Sequence, residues 1–226
     1  MRVHLPENPA RDDLLAGRPT LWLNPHLRPD GIADPALPVR PAQVAEAVAN
    51  WRRLAPLLAA CFPDLAASGG RIRSDLIEAR ALRDALGYGG PEFGRIFVKA
   101  DNDLPVAGSI KARGGVYEVF MFAEALARRS GLIKEGDDIR TLAGAAARAV
   151  FARHTIAVGS TGNLGLSVGI AARALGFKAA VHMSSDAKAW KVERLRTLGV
   201  EVHLHRADYT TAVEQARKEA GGDPTI

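Results

Sequence analysis

The chain has 226 residues, 47% of them hydrophobic and 24% charged, with a formal net charge of +5. That length and balance fit a soluble globular protein large enough to bury a real core. The basic excess is spread over many arginines without a clustered stripe, which argues against a nucleic-acid-binding module.

Cys61 is the single cysteine, so an internal disulfide framework is excluded and a reducing cytoplasm is expected. It lies in the apolar run Leu57-Leu58-Ala59-Ala60-Cys61-Phe62 and is expected to be a buried small residue rather than a nucleophile. Met1 to Asn8 lacks the apolar core of a signal peptide, and no apolar run approaches the ~20 residues of a membrane helix.

Taken in order, residues 1 to about 40 are rich in Pro, Asn and Asp and read as an extended arm around Trp22 and Leu23. Pro41 opens a long helical pattern in which Val44, Val48, Trp51 and Leu54 recur, with Trp51 read as packing. Ser74 is expected to cap a second helix carrying Ile77, Leu82 and Leu86 on one face, closed by Gly87-Tyr88-Gly89-Gly90-Pro91. Residues 1–94 thus form an N-terminal arm and helices.

Residues 95–226 have a different character. Ile96 to Val98 reads as a strand, a loop follows, and Val116 to Ala127 is an amphipathic helix. Asp137-Asp138 marks a turn before an Ala-rich helix over 142–152. Then strands at 155–158, 178–183 and 200–204 alternate with helices at 163–174, 187–198 and 210–220. This rhythm predicts an α/β fold, an open parallel sheet with βαβ crossovers. Gly176 and Gly199 are expected as left-handed C-caps.

Two stretches carry chemistry. In Leu104-Pro105-Val106-Ala107-Gly108-Ser109-Ile110-Lys111-Ala112-Arg113-Gly114-Gly115, a lysine stands where a loop becomes a helix. An amine near exposed backbone N–H groups and a helix dipole suits Schiff-base chemistry beside a bound anion. In Gly159-Ser160-Thr161-Gly162-Asn163-Leu164-Gly165, a strand breaks into a polar turn that starts a helix. That turn could cradle an anion, or Ser160 or Thr161 could serve only as N-cap. In an open sheet this turn lies where ligands bind, beyond the carboxyl ends of the strands.

Other polar groups have structural readings. Arg113 could attract a phosphate or pair with a carboxylate such as Glu118, the ion pair being favoured, and Asp101 and Asp103 are expected to cap a turn. His154, His182, His203 and His205 lack metal-ligand spacing on one helix face, and His203 and His205 alternate along a strand, where they are read as sharing its solvent face.

Gly-Ser-Ile-Lys-Ala-Arg-Gly-Gly followed by Gly-Ser-Thr-Gly-Asn-Leu-Gly resembles the pyridoxal-phosphate enzymes of the tryptophan-synthase-β type. His182-Met183-Ser184-Ser185-Asp186-Ala187-Lys188-Ala189-Trp190-Lys191 and Leu195-Arg196-Thr197-Leu198-Gly199-Val200 narrow the likeness to the D-serine dehydratases among them. The resemblance implies pyridoxal 5'-phosphate as cofactor and conversion of D-serine to pyruvate and ammonia. It implies Lys111 as Schiff-base lysine and general base. Asn163 would bond the ring 3′-oxygen, and Ser160, Thr161, Gly162 and Asn163 would hold the substrate carboxylate. The implied partner is an amino-acid substrate.

The glycine-rich phosphate loop of that family is not found, only glycine pairs such as Gly114-Gly115 and Gly221-Gly222. The chain is therefore expected to be an N-terminal fragment, inactive alone and completed by a C-terminal half. Two other readings stand beside this one. One is a non-catalytic or split module. The other is a dinucleotide-binding oxidoreductase domain, with Asp186 as a ribose contact, although Gly159, Gly162 and Gly165 have the wrong spacing for it.

Overall fold

A computed structural model describes residues 10–28, 34, 37–206, 209–223 and 225–226. The expectations for Met1 to Asn8 fall outside them. The chain divides into two compact units, Met1–Val48 and Ala49–Ile226.

The first unit has little regular structure among its described residues. A short helix α1 (Arg11–Leu15) is followed by turns, with Arg18 paired to Asp13 at 2.8 Å. The expected helix α2 (Pro41–Cys61) begins on its proline, where the missing N–H costs nothing. The Arg40 N–H donates to Gln43 Oε1 at 2.8 Å, which satisfies the start of the helix.

In the second unit, Leu54, Leu57 and Leu58 from α2 enter the core. Trp51 packs on Tyr117, ring centroids 5.4 Å apart, as its spacing predicts. Cys61 packs against the core, and burial pushes its thiol up to about 11 despite the opposing pull of Arg148.

The helix expected after Ser74 does not form as such. Leu76–Glu78 is instead a strand, β1, followed by a short helix α3 (Arg80–Ala85). β1 pairs antiparallel with β2 (Phe97–Lys99), placing Ile77 opposite Val98. Ser74 donates to Asp101 Oδ1 at 2.6 Å and its carbonyl accepts from Lys99 Nζ at 2.7 Å. A long-range pairing has overridden a local helical pattern. Asp101 and Asp103 do sit in a turn of 3-10 helix, as expected. The Ser74 hydrogen bond, helped by Lys99 and Arg113, holds the Asp101 carboxyl below the usual range. Among the described residues Arg113 makes no ion pair with Glu118, and its charge is the smallest of the influences on Asp101.

Helix α4 (Lys111–Arg129) buries Ala112, Val116, Val119, Phe120, Ala123 and Ala127 on a continuous face. The Ala-rich segment is two pieces, a 3-10 turn over Ile139–Ala143 and helix α5 (Ala145–Phe151). Gly144, extended at ψ 169°, separates them. Asp138 caps the first piece by accepting from the Arg140 N–H at 3.0 Å.

The α/β rhythm then appears as predicted: β3 (Thr155–Gly159), α6 (Asn163–Leu175), β4 (Lys178–Ser184), α7 (Ala189–Thr197), β5 (Glu201–His205) and α8 (Tyr209–Gly222). The sheet is parallel in order β3-β4-β5, with Val158 beside Val181 and His182 beside His203. β4 is buried from Ala179 to Ser184, as a central strand covered on both faces must be. Gly176 and Gly199 end the preceding helices at φ 99° and 73°. Val181 lies against α6 at Gly165, whereas its neighbour His182 meets Glu219 of α8. Successive strand residues point to opposite faces, so α6 and α8 cover opposite sides of the sheet. The N–H of Thr155 donates to the carbonyl of Thr225 at 2.8 Å, so β3 is bonded on its other edge as well.

Among the described residues no helix is long and apolar enough to cross a membrane.

Candidate active site

Lys111 is the first residue of α4 and is exposed. Its backbone N–H is met by Ser109 Oγ at 3.3 Å, and no side chain of Ile110 caps the helix. The loop before it is tightly folded. Ala107 N–H donates to Pro105 O at 3.0 Å, a γ-turn with Val106 at its centre. Val106 has φ 77°, and no other described non-glycine residue has a positive φ. A β-branched residue there is strained, by about 1–3 kcal/mol. Arg194 of α7 secures this turn by donating to the Val106 carbonyl at 3.0 Å.

The second stretch leaves the carboxyl end of β3. Ser160 N–H donates to the carbonyl of His182 at 2.8 Å, continuing the sheet by one bond. Gly162 N–H then donates to Ser160 Oγ at 3.3 Å. The N-cap of α6 is Gly162, without a side-chain cap. Simple capping by Ser160 or Thr161 is therefore not how this turn is built, and the first N–H groups of α6 are left for another acceptor. Gly165 is required, since a Cβ there would lie 2.6 Å from Ser160 O and 2.9 Å from Val181 Cγ1.

Thr161 and Ser184 hydroxyls lie 2.7 Å apart, and the Ser184 N–H donates to Thr161 Oγ1 at 3.1 Å. Ser184 donates its own proton to Asp186. The Thr161 hydroxyl must then donate to Ser184, and the three residues form one directed chain. Asp186 is thus engaged by Ser184, unlike a ribose contact waiting for its ligand.

The two stretches meet because α4 and α6 pack side by side in the same direction. Gly115 lies against Leu164, Ser167 and Val168, where a Cβ would find atoms at 3.2–3.3 Å. Two turns later Phe122 meets Phe177, just past the end of α6, with ring centroids 6.0 Å apart. Lys111 precedes Gly115 by about one turn and Asn163 adjoins Leu164, so both helix N-termini open at the same end of the layer. Lys111, Ser160, Thr161, Gly162 and Asn163 all belong to that end. Sequence reading missed Arg194, Ser184 and the strained Val106. None of them carries a local pattern that marks it.

Behind the turn, on the α8 face of the sheet, lie three histidines. The ring of His182 stacks on His203 at 4.6 Å and on His205 at 5.2 Å. His203 and His205 share a face of β5, as expected, but that face is part-buried beside His182 rather than fully solvated. Burial pushes the His182 imidazole below the usual range, Glu219 opposes this, and His203 and His205 add to it.

A family described as pyridoxal-phosphate dependent enzyme matches residues 68–223. A protein named "Probable D-serine dehydratase" from Rhizobium etli (strain CIAT 652) is 68% identical over 226 residues, covering 100% of this chain and 50% of that protein. Another of the same name from Pseudomonas aeruginosa (strain UCBPP-PA14) is 54% identical over 222 residues, covering 97% of this chain and 50% of its own length. The chain thus spans about half the length of the curated relatives it matches. Among solved structures, diaminopropionate ammonia lyase from Escherichia coli superposes with a TM-score of 0.58 at 21% identity, covering 78% of this chain and 40% of that one.

Proposed function

The chain belongs to the pyridoxal-phosphate dependent enzymes, and on that premise we propose that it carries the cofactor lysine and the substrate-carboxylate turn of a D-serine dehydratase. The observation that carries this reading is the shared end of α4 and α6, where an exposed lysine begins one helix and no side chain caps the start of the other. The relatives' names supply the substrate and the reaction class. Because the chain spans about half their length, turnover is proposed for a protein that supplies the other half as well, and little or none for residues 1–226 alone.

The residues present fit the cofactor. Lys111 offers the one amine among the site residues, and uncapped N–H groups with nearby hydroxyls suit anionic ligands. Bound pyridoxal phosphate supplies the electron sink for charge left at the substrate α-carbon. Lys111 Nζ would hold the cofactor and, once freed, would take the α-proton as general base. Asn163 would donate its side-chain amide to the cofactor ring oxygen. Ser160 and the backbone N–H groups from Thr161 to Asn163 would receive the substrate carboxylate, the Gly162 N–H by giving up its 3.3 Å bond to Ser160 Oγ, while the Thr161 hydroxyl stays committed to Ser184. Loss of hydroxide from the β-carbon, followed by hydrolysis, gives pyruvate and ammonia.

The test is covalent. The chain is incubated with pyridoxal phosphate, reduced with borohydride and mapped by peptide mass spectrometry. A pyridoxyl label on Lys111, lost in Lys111→Ala, is expected. Labelling spread over surface lysines, with no preference for Lys111, would overturn the assignment.

A further inference from the structure

On the face of the sheet opposite α6, three polar side chains converge without any part in the chemistry above. His182 on β4, His203 on β5 and Glu219 on α8 each present one ligand atom, and these atoms lie within 4.8 Å of one another. The His182 side chain is fully buried. Its Nε2 is 3.2 Å from Glu219 Oε2, yet it has no hydrogen-bond partner. A buried polar atom left unmatched calls for an explanation.

The remaining contacts supply one. His182 Nδ1 lies 3.0 Å from His205 Nε2. A metal-bound histidine is oriented by a hydrogen bond from its other ring nitrogen. In the tautomer that donates Nδ1–H to His205, the lone pair on Nε2 is left for the cluster. Glu219 is held in the same manner, its Oε1 accepting from Gln215 Nε2 at 3.1 Å while Oε2 turns inward. Two acceptors then face each other. Ligand atoms bound about 2.0–2.1 Å from a tetrahedral zinc ion lie about 3.3 Å apart, close to the 3.2 Å between His182 Nε2 and Glu219 Oε2, with all three ligand atoms inside 4.8 Å.

We propose that His182, His203 and Glu219 form a binding site for a divalent cation of the zinc class, with His205 and Gln215 as positioning residues. Two imidazoles and one carboxylate suit zinc or cobalt rather than magnesium or calcium, which prefer all-oxygen shells. Three protein ligands leave the fourth position to water. Such an ion ties α8 to both β4 and β5. It also lies behind the substrate turn, since the His182 carbonyl accepts the Ser160 N–H at 2.8 Å. A single strand residue would bond the cation with its ring and the turn with its backbone.

The sequence alone obscured this site because its ligands come from three elements, with no spacing along one helix to mark them.

The test uses the metal-stripped chain without pyridoxal phosphate, so that its outcome is independent of Lys111. Co²⁺ is titrated as a visible-absorbing probe and then displaced by Zn²⁺. One equivalent of Co²⁺ with the intense bands of tetrahedral coordination is expected, lost on adding Zn²⁺. His203→Ala and Glu219→Gln are the informative variants, being part-exposed, whereas truncating the buried His182 endangers the fold. Each should weaken Co²⁺ binding at least about 10-fold, and His205→Ala by about 10–100-fold as an outer-shell loss. Far-UV circular dichroism confirms that each variant is folded. Absence of a tetrahedral spectrum in the parent chain would overturn the proposal. Undiminished binding in both His203→Ala and Glu219→Gln would also do so, by assigning the metal to His4, His26 or His154.

Discussion

The guanidinium of Arg194 donates to the carbonyl of Val106 at 3.0 Å, joining α7 to the strained turn five residues ahead of Lys111. A residue distant in sequence thus secures the loop that delivers the lysine. Arg194→Ala is expected to cost about 1 kcal/mol of stability, as for one exposed charge-assisted hydrogen bond. Labelling of Lys111 by pyridoxal phosphate should slow as well. Denaturant unfolding and the rate of borohydride-trapped label measure the two effects, and an unchanged rate would show that the turn holds without Arg194.

Two glycines should respond oppositely to alanine. At Gly165 the new methyl would press on Ser160 O and Val181 Cγ1, so Gly165→Ala should destabilise by about 1–3 kcal/mol. At Gly114, inside α4, a Cβ meets nothing within 4 Å. Gly114→Ala should therefore stabilise by about 0.5–1 kcal/mol through helix propensity. Urea midpoints at constant m-value check both.

Acid stability should depend on Glu124. Its buried carboxylate receives Arg128 at 2.8 Å and also pairs with Arg53. Burial alone would raise its pKa, but the two arginines outweigh burial and hold it below the usual range. A depressed folded pKa means this contribution is present above the unfolded value of about 4.3 and is lost as pH falls through the folded one. Glu124→Gln should cost about 1–3 kcal/mol at neutral pH and flatten the loss of stability below about pH 4. Chemical unfolding across pH 3 to 7 would reveal the difference in slope.

Cys61, with its thiol pushed up to about 11, should resist alkylation at neutral pH in the folded chain. Its reaction with iodoacetamide should accelerate toward pH 11 and become ordinary once the chain is unfolded. Fast modification of the native protein at pH 7 would contradict the burial seen here.

The breaking of Thr161 away from a capping role shows how far local reading could go. A Ser/Thr beside a helix start signals either a cap or an anion site, and residue order cannot choose. What the structure adds is that Ser184, 23 positions on, takes the Thr161 hydroxyl, and Gly162 is the N-cap.

What the amino-acid order determined by itself was everything with a short period or a local constraint. The β3-α6-β4-α7-β5-α8 alternation follows from apolar runs and helical spacing, and the left-handed caps at Gly176 and Gly199 follow from glycine's freedom at positive φ. Lys111 at a helix start and the polar turn after β3 were equally legible. Tertiary structure alone decided the rest. Ile77 became strand because Val98 was available to pair with it, and Arg194 reached Val106 only after α7 had docked. His182, His203, His205 and Glu219 converged because alternate residues of neighbouring parallel strands share a face beneath α8. Such contacts join residues distant in the chain, and no local pattern encodes which distant surface a side chain will meet.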